Sequence, residues 1–147
     1  MLNDSLEDKT RNIFGQRAAI YTVSTCHNDP QILGQMLKWS VPKLDWHVLD
    51  VATGTGHTAF AFAPFVQRVI GIDLTPEMLT EAEHLKKQYQ LSNVDFSIAN
   101  AHSLPFESET FDLITCRRAA HHFSNIAVAL KEMKRVIKPE GKLLIDD

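Results

Sequence analysis

Two aspartates and the glycine turn between them are the residues of this sequence whose types and spacing suggest chemistry. In Val48-Leu49-Asp50-Val51-Ala52-Thr53-Gly54-Thr55-Gly56-His57-Thr58-Ala59 an apolar run stops at Asp50, and small residues with two glycines lead into a helical pattern. Glycine reaches positive φ and has no Cβ, so a ligand can approach the main chain at such a turn. The segment Gly54-Thr55-Gly56-His57-Thr58-Ala59 fits the pattern G-x-G-x-x-G/A, and Asp73 stands at the end of the next apolar run. A carboxylate there can accept from both hydroxyls of a ribose, and such charge-assisted bonds are strong in an apolar crevice. The plain structural alternative for Asp73 is a helix-start residue near Thr75. The order of strand, turn, helix, strand and acid points to an adenosine-containing ligand.

The elements that must position these residues alternate between strand and helix from Trp46 onward, which predicts an α/β fold: a Rossmann-like parallel sheet of about five strands with helices on both faces. The first strand ends at Asp50 and is followed by a helix over 56–66, with His57 in its first turn. A strand over 68–72 delivers Asp73. Thr75 then caps a helix opened by Pro76, with Met78, Leu79, Ala82, Leu85 and Tyr89 as its apolar stripe. Further strands are predicted over 94–98, 111–115 and 142–145. The last helix carries Ile126, Ala129, Leu130, Met133, Val136 and Ile137 on one face and ends at Lys138-Pro139-Glu140-Gly141, where Gly141 permits the turn back. Two N-terminal helices precede the sheet. One lies over 6–21 with Phe14, Ala18 and Tyr21 on one face, packing on the body of the domain or closing over the ligand; His27 could belong to such a lid. The other starts at Asp29-Pro30 and turns Ile32, Leu33, Met36 and Leu37 toward the core. We therefore expect one domain over 1–147, with a helical cap region over 1–44 and a ligand-binding core over 45–147. Lys86-Lys87 and the charged residues over 131–138 read as solvated helix faces.

Composition narrows the partners. The chain has 147 residues, a net charge of −3 and 44% hydrophobic residues, which suits one globular domain and removes the global basic field that would draw it onto nucleic acid or an anionic membrane. Cys26 and Cys116 are the only cysteines; they form neither a disulfide framework nor a zinc cluster and read as thiols of a reducing compartment. No metal site is expected. No apolar run approaches the roughly 18 residues of a membrane span, so a cytoplasmic location is expected.

Four ordered motifs go further. Val48-Leu49-Asp50-Val51-Ala52-Thr53-Gly54-Thr55-Gly56, Gly71-Ile72-Asp73-Leu74-Thr75-Pro76-Glu77-Met78-Leu79, Asn100-Ala101-His102-Ser103-Leu104-Pro105-Phe106 and Val136-Ile137-Lys138-Pro139-Glu140-Gly141 together resemble the class I S-adenosylmethionine-dependent methyltransferases. Within that superfamily the sequence is most similar to the branch containing the ubiquinone and menaquinone C-methyltransferases. The resemblance implies S-adenosylmethionine as cofactor and S-adenosylhomocysteine as product. It implies that Asp50, Ala52, Thr53, Gly54, Thr55 and Gly56 surround the methionine end, Asp73 holds the ribose, Leu74 packs on the adenine, Asn100 and Ala101 read its edge, and Arg117 approaches the sulfonium centre. Asn100 stands where the family often has Asp, and its carbonyl oxygen can still accept from the adenine amino group. Ala52 replaces the first glycine of the commonest family pattern.

Methyl transfer is an in-line displacement that needs alignment and no obligatory covalent residue. Where the acceptor must lose a proton, His121 and His122 in Arg117-Arg118-Ala119-Ala120-His121-His122-Phe123 are the candidate bases, since a neutral imidazole titrates near working pH; their plain alternative is packing and exposure. Arg117 and Arg118 either bind an acidic group of the acceptor or meet Asp146 and Asp147 at the same sheet edge. No Asn/Asp-Pro-Pro-aromatic motif of base-modifying enzymes follows the fourth strand, which favours a small-molecule acceptor. The superfamily sheet has seven strands with a final antiparallel hairpin. Here the fifth predicted strand is the last, the hairpin is absent, and the strand over 142–145 is expected to expose an edge that self-association could cover. Two other functions remain open: a methyltransferase-like module that holds cofactor without turnover, and a nicotinamide-dependent oxidoreductase.

Overall fold

The computed structural model describes residues 29–147; the expected helix over 6–21, His27 and Cys26 lie outside the described residues. The elements are α1 (Pro30–Ser40), β1 (His47–Val51), α2 (His57–Phe62) with a 3-10 turn Ala63–Phe65, β2 (Arg68–Asp73), α3 (Pro76–Gln88), β3 (Val94–Ile98), β4 (Phe111–Arg117), a 3-10 turn Ala120–His122, α4 (Ile126–Val136) and β5 (Ile137–Asp146). The five strands form one sheet in the order β3-β2-β1-β4-β5, and every pairing is parallel.

Alternation along the strands gives the sheet two buried faces. Val48, Val69, Val94 and Leu113 meet Leu33 and Met36 of α1, Phe60 and Phe62 of α2 and Leu85 of α3. On the opposite face Leu49, Val51, Ile72, Ile114 and Cys116 meet Ala129, Met133 and Val136 of α4. Helices therefore cover both faces, as the alternating pattern predicts.

Local chemistry sets the helix ends. The Asp29 carboxylate accepts from the Gln31 N–H at 2.9 Å and Pro30 occupies the first turn. At the other end Val41 adopts φ 50 and donates to the Leu37 carbonyl, and Pro42 prevents continuation. Asn125 caps α4 through Val128 N–H. Pro64 lies inside the helix expected over 56–66, and there α2 gives way to the 3-10 turn.

Four expectations are corrected. Thr75 sits at the start of α3 without a side-chain cap bond. Ile137 is the first residue of β5, not the last of the helix. Residues 138–141 form no separate turn: Phe111 pairs with Ile137 and Leu113 already pairs with Lys142, so the extra residues bulge out of a strand that continues to Asp146. Gly141 fits there because a Cβ would come within 2.5 Å of Ile137 Cγ1. The charged stretch over 131–138 is also not simply a solvated helix face: Arg135 of α4 donates to the Leu104 and Phe106 carbonyls, and Lys138, in β5, pairs with Asp112 at 3.1 Å. β5 lies at the sheet edge and leaves Leu143 and Ile145 exposed.

Because Met36 is wholly buried while Trp39 on the same helix is 61% exposed, α1 belongs to the core. Met36→Ala is expected to lower unfolding free energy by about 2–5 kcal/mol in urea titrations, and Trp39→Ala to change it by less than about 0.5 kcal/mol.

Candidate functional site

β1 and β4 are neighbours, and the chain leaves them in opposite directions, β1 toward β2 and β4 toward β5. In parallel sheets that reversal opens a crevice at the carboxyl ends of the strands. Here it is a cleft of about 1060 Å³, its open mouth included, lined by the residues after β1, β2, β3 and β4.

The floor is the turn after β1. Ala52 and Gly54 adopt φ 55 and 58, and Gly56 φ 93. Thr53 N–H donates to the Ile72 carbonyl at 2.8 Å and Gly56 N–H to the Thr53 carbonyl at 3.0 Å. A left-handed backbone explains why glycine suits position 52; alanine there costs about 1–2 kcal/mol. Ala52, Thr53, Gly54 and Thr55 line the cleft, and Gly56 does not. Gly56 instead lies against rings, where a Cβ would come within 2.9 Å of both Phe60 Cζ and Phe96 Cζ. That close approach of the rings leaves no room for a side chain at the start of α2.

Asp50 is sealed, 2% exposed. Its oxygens accept from the hydroxyls of Thr53 at 2.6 Å and Thr115 at 2.7 Å. Burial pushes its pKa up to about 6, opposed by the two hydroxyls and by the charge of Arg117. Asp73 opens partly to the cleft and accepts from the Gly54 N–H and the Thr75 N–H, each at 2.9 Å. Burial pushes its pKa upward as well, against these N–H groups and the Thr75 hydroxyl. Thr75 thus serves Asp73 in place of the helix end. Leu74 and Met78 complete this wall.

Asn100 and Ala101 line the cleft beside this wall, after β3, the neighbour of β2. Asn100 Oδ1 accepts from the His102 N–H at 2.9 Å and meets His102 Nδ1 at 2.8 Å. His102 Nε2 faces the Asn125 N–H at 3.2 Å and so accepts, which assigns the proton to Nδ1 as donor to Asn100. Both lone pairs of Oδ1 are then in use. An adenine amino group reaching this oxygen would share it with His102.

At the end of β4, Arg117 is buried and its Nε donates to Thr58 Oγ1 at 3.2 Å. Burial draws its pKa down, while Asp50 and Asp146 favour its charge. Arg118 follows with φ 53 at the cleft mouth, its N–H on the Asp146 carbonyl. The two histidines part company. His122 lines the cleft, and burial and then His121 hold its pKa below the ordinary imidazole value. His121 is not among the cleft residues and pairs with Asp147. His57 is buried in the first turn of α2, as expected. Cys116 is buried, its thiol pushed up to about 12 chiefly by burial, which keeps it unreactive. Among the described residues no cluster suits a metal ion, and no helix is long and apolar enough to cross a membrane.

Thr58, Thr115 and His102 are the functional neighbours that motif reading misses. Thr115 meets Asp50 only through the β1–β4 register, which pairs their Cα positions.

Comparison with known proteins agrees with this geometry. The methyltransferase domain family matches residues 49–145. The uncharacterized methyltransferase YcgJ of Bacillus subtilis (strain 168) is 41% identical over 134 residues, 91% of this chain and 53% of its own length. The crystal structure of YcgJ superposes with TM-score 0.76 and 45% identity, over 77% of this chain and 48% of that one. The ubiquinone/menaquinone biosynthesis C-methyltransferase UbiE of Rickettsia massiliae (strain Mtu5) is 36% identical over 148 aligned positions, 90% of this chain and 58% of its own length. A SAM-dependent methyltransferase from Aquifex aeolicus superposes with TM-score 0.71 and 29% identity, covering 78% of this chain and 63% of that one. The chain thus spans about half the length of the curated relatives it matches.

Two measurements test the geometry of the floor. The raised pKa of Asp50 means that the folded state keeps a proton the unfolded chain releases near 3.8. Its contribution to stability is full below about pH 4 and is lost as pH rises through about 6. Urea unfolding of wild type against Asp50→Asn from pH 4 to 7 is expected to show the difference moving by about 3 kcal/mol in favour of the variant. Ala52→Val places a β-branched residue at positive φ and is expected to cost about 1–3 kcal/mol in the same assay.

Proposed function

The chain belongs to the methyltransferase domain family, and from that premise we propose that its cleft binds S-adenosylmethionine and directs the methyl group to a small-molecule acceptor. The observation that carries this reading is the pair of carboxylates, Asp50 and Asp73, at the ends of adjacent parallel strands on either side of a left-handed turn. A cofactor with a cationic amino acid end and a ribose has a use for both. Asp50 offers negative charge beside Thr53 and Gly54 to the ammonium group. Asp73 spends one lone pair of each oxygen on a backbone N–H and keeps acceptor capacity for the two ribose hydroxyls. Leu74 flanks the adenine, Asn100 and Ala101 take its edge, and Ala52, Thr55 and Arg117 close the methionine end.

The cofactor supplies an activated methyl group on a cationic sulfur. The protein's part is to hold donor and acceptor in line and to keep water out. His122, at the cleft and neutral at working pH, is the base where an acceptor must lose a proton; His121, held by Asp147, acts on it only as a neighbour. The family match favours S-adenosylmethionine over a nicotinamide for the same glycine turn.

Calorimetric titration with S-adenosylmethionine, S-adenosylhomocysteine and NADH tests the proposal. Both sulfur ligands are expected to bind, and Asp73→Ala to weaken each by about 10- to 100-fold. Binding of neither, with Asp73→Ala equal to wild type, overturns it, and tight NADH binding in their place restores the oxidoreductase reading. A screen of acceptors separates methyl transfer from a module that holds cofactor without turnover.

A further inference from the structure

The cleft has two sides built from different parts of the chain, and one side chain joins them. The loop after β3 holds Asn100 and Ala101; the segment over 118–125 holds Arg118, Ala119, His122 and Phe123. Between them stands His102. Its own N–H and its Nδ1 both go to Asn100 Oδ1. Its Nε2 takes the Asn125 N–H at 3.2 Å and lies 3.4 Å from Ser124 Oγ. Its ring meets Phe123 edge to face at 5.8 Å between centroids. Asn125 is in turn the cap of α4.

We propose that His102 is a positioning residue that fixes the orientation of Asn100 on the adenine side and clamps the segment over 118–125 on the acceptor side, so that cofactor binding and the order of the acceptor wall are coupled. The claim rests on the cofactor reading above and adds to it. Its physical basis is the two-ended imidazole. In the Nδ1–H form the ring donates at one end and accepts at the other, which a phenyl, an amide oxygen or a hydroxyl of this length cannot do at both ends. The donor end holds the Asn100 carboxamide with Oδ1 turned inward. The acceptor end satisfies the Asn125 N–H, which precedes the helix and has no place in its ladder. A ligand that orders Asn100 thereby orders His102, Asn125 and the Phe123 ring, and the effect reaches the segment that carries His122.

The test uses the full chain and His102→Phe, which keeps a ring for Phe123 and removes both hydrogen bonds. Nitrogen-15 spectra of wild type are expected to show His102 as the neutral Nδ1–H tautomer, the minor form of a free histidine side chain; an Nε2–H tautomer overturns the proposal even if the variant does not fold. Amide hydrogen exchange is expected to show that S-adenosylhomocysteine slows exchange over 118–125 in wild type and not in His102→Phe, while amides of β1 and β4 stay protected in both. Calorimetry is expected to show the ligand binding about 3- to 10-fold more weakly to the variant. A variant with wild-type affinity and the wild-type exchange response overturns the coupling and leaves the cofactor reading standing. A wild type that binds no S-adenosylhomocysteine removes the cofactor reading, and the coupling with it.

Discussion

A carboxylate buried at the end of the central strand constrains everything around it. Asp50 lies where β1 gives out, sealed from solvent, with a hydroxyl on each oxygen. Thr53 comes from the turn and Thr115 from β4, so one side chain ties the strand, the loop that leaves it and the neighbour across the crevice. An ionised carboxylate left without such partners in the interior costs several kcal/mol. The left-handed backbone of Ala52 costs about 1–2 kcal/mol. The larger number decides the local geometry: the turn folds back far enough to bring the Thr53 hydroxyl onto Asp50, and the strain at Ala52 is tolerated. With the turn so placed, Gly54 N–H points at Asp73, and the second carboxylate is positioned by the first.

The walls of the cleft depend on the far face of the sheet. No helix covers the chain between β3 and β4, so the loop that carries Asn100 needs support from elsewhere. It comes from α4. Glu132 accepts from the Leu104 N–H at 2.8 Å, Arg135 binds the Leu104 and Phe106 carbonyls, and the two side chains bond each other. Arg135 above all holds the Glu132 carboxyl below the usual range. Leu104 itself is buried against Phe111, Met133 and Ala129 in the same cluster. A loop that reads as irregular is therefore held at both ends, by α4 at Leu104 and Phe106 and by His102 at Asn125.

Element order was legible because it rests on local signals: Asp29-Pro30 before α1, the apolar run before Asp50, Pro76 before α3, and the near-continuous burial of β1 and β4 that two-sided sheets impose. Parallel order and the two-faced core followed from those. What depends on register was not legible. Nothing in the spacing shows that Thr115 lies opposite Asp50, or that β5 begins directly at Ile137 and absorbs 138–141 as a bulge, because apolar residues serve the end of a helix and the start of a buried strand equally well. The site divided along the same line. Asp50, Asp73 and the turn were readable from type and spacing. The use of Asn100 Oδ1 by His102 depends on a ring orientation set from Asn125, and the divergence of His121 and His122 on Asp147, and adjacent positions in the sequence carry no sign of either.

The two carboxylates differ in a way that bears on what the cleft can do. The donors to Asp73 include two backbone N–H groups, and an N–H can only donate, so both bonds favour the ionised acid. The donors to Asp50 are the hydroxyls of Thr53 and Thr115, and a hydroxyl rotates. If Asp50 takes up a proton, Thr53 or Thr115 can turn and accept a hydrogen bond from its O–H, so the contacts around it persist in either charge state. Burial raises Asp50 to about 6, close enough to working pH that a cation entering beside it shifts the balance to the ionised form. Asp73 then serves as a fixed acceptor and Asp50 as a charge that is expressed most fully when a cationic ligand is present. That division suits the proposed cofactor, which has neutral hydroxyls on its ribose and a positive charge at its amino acid end.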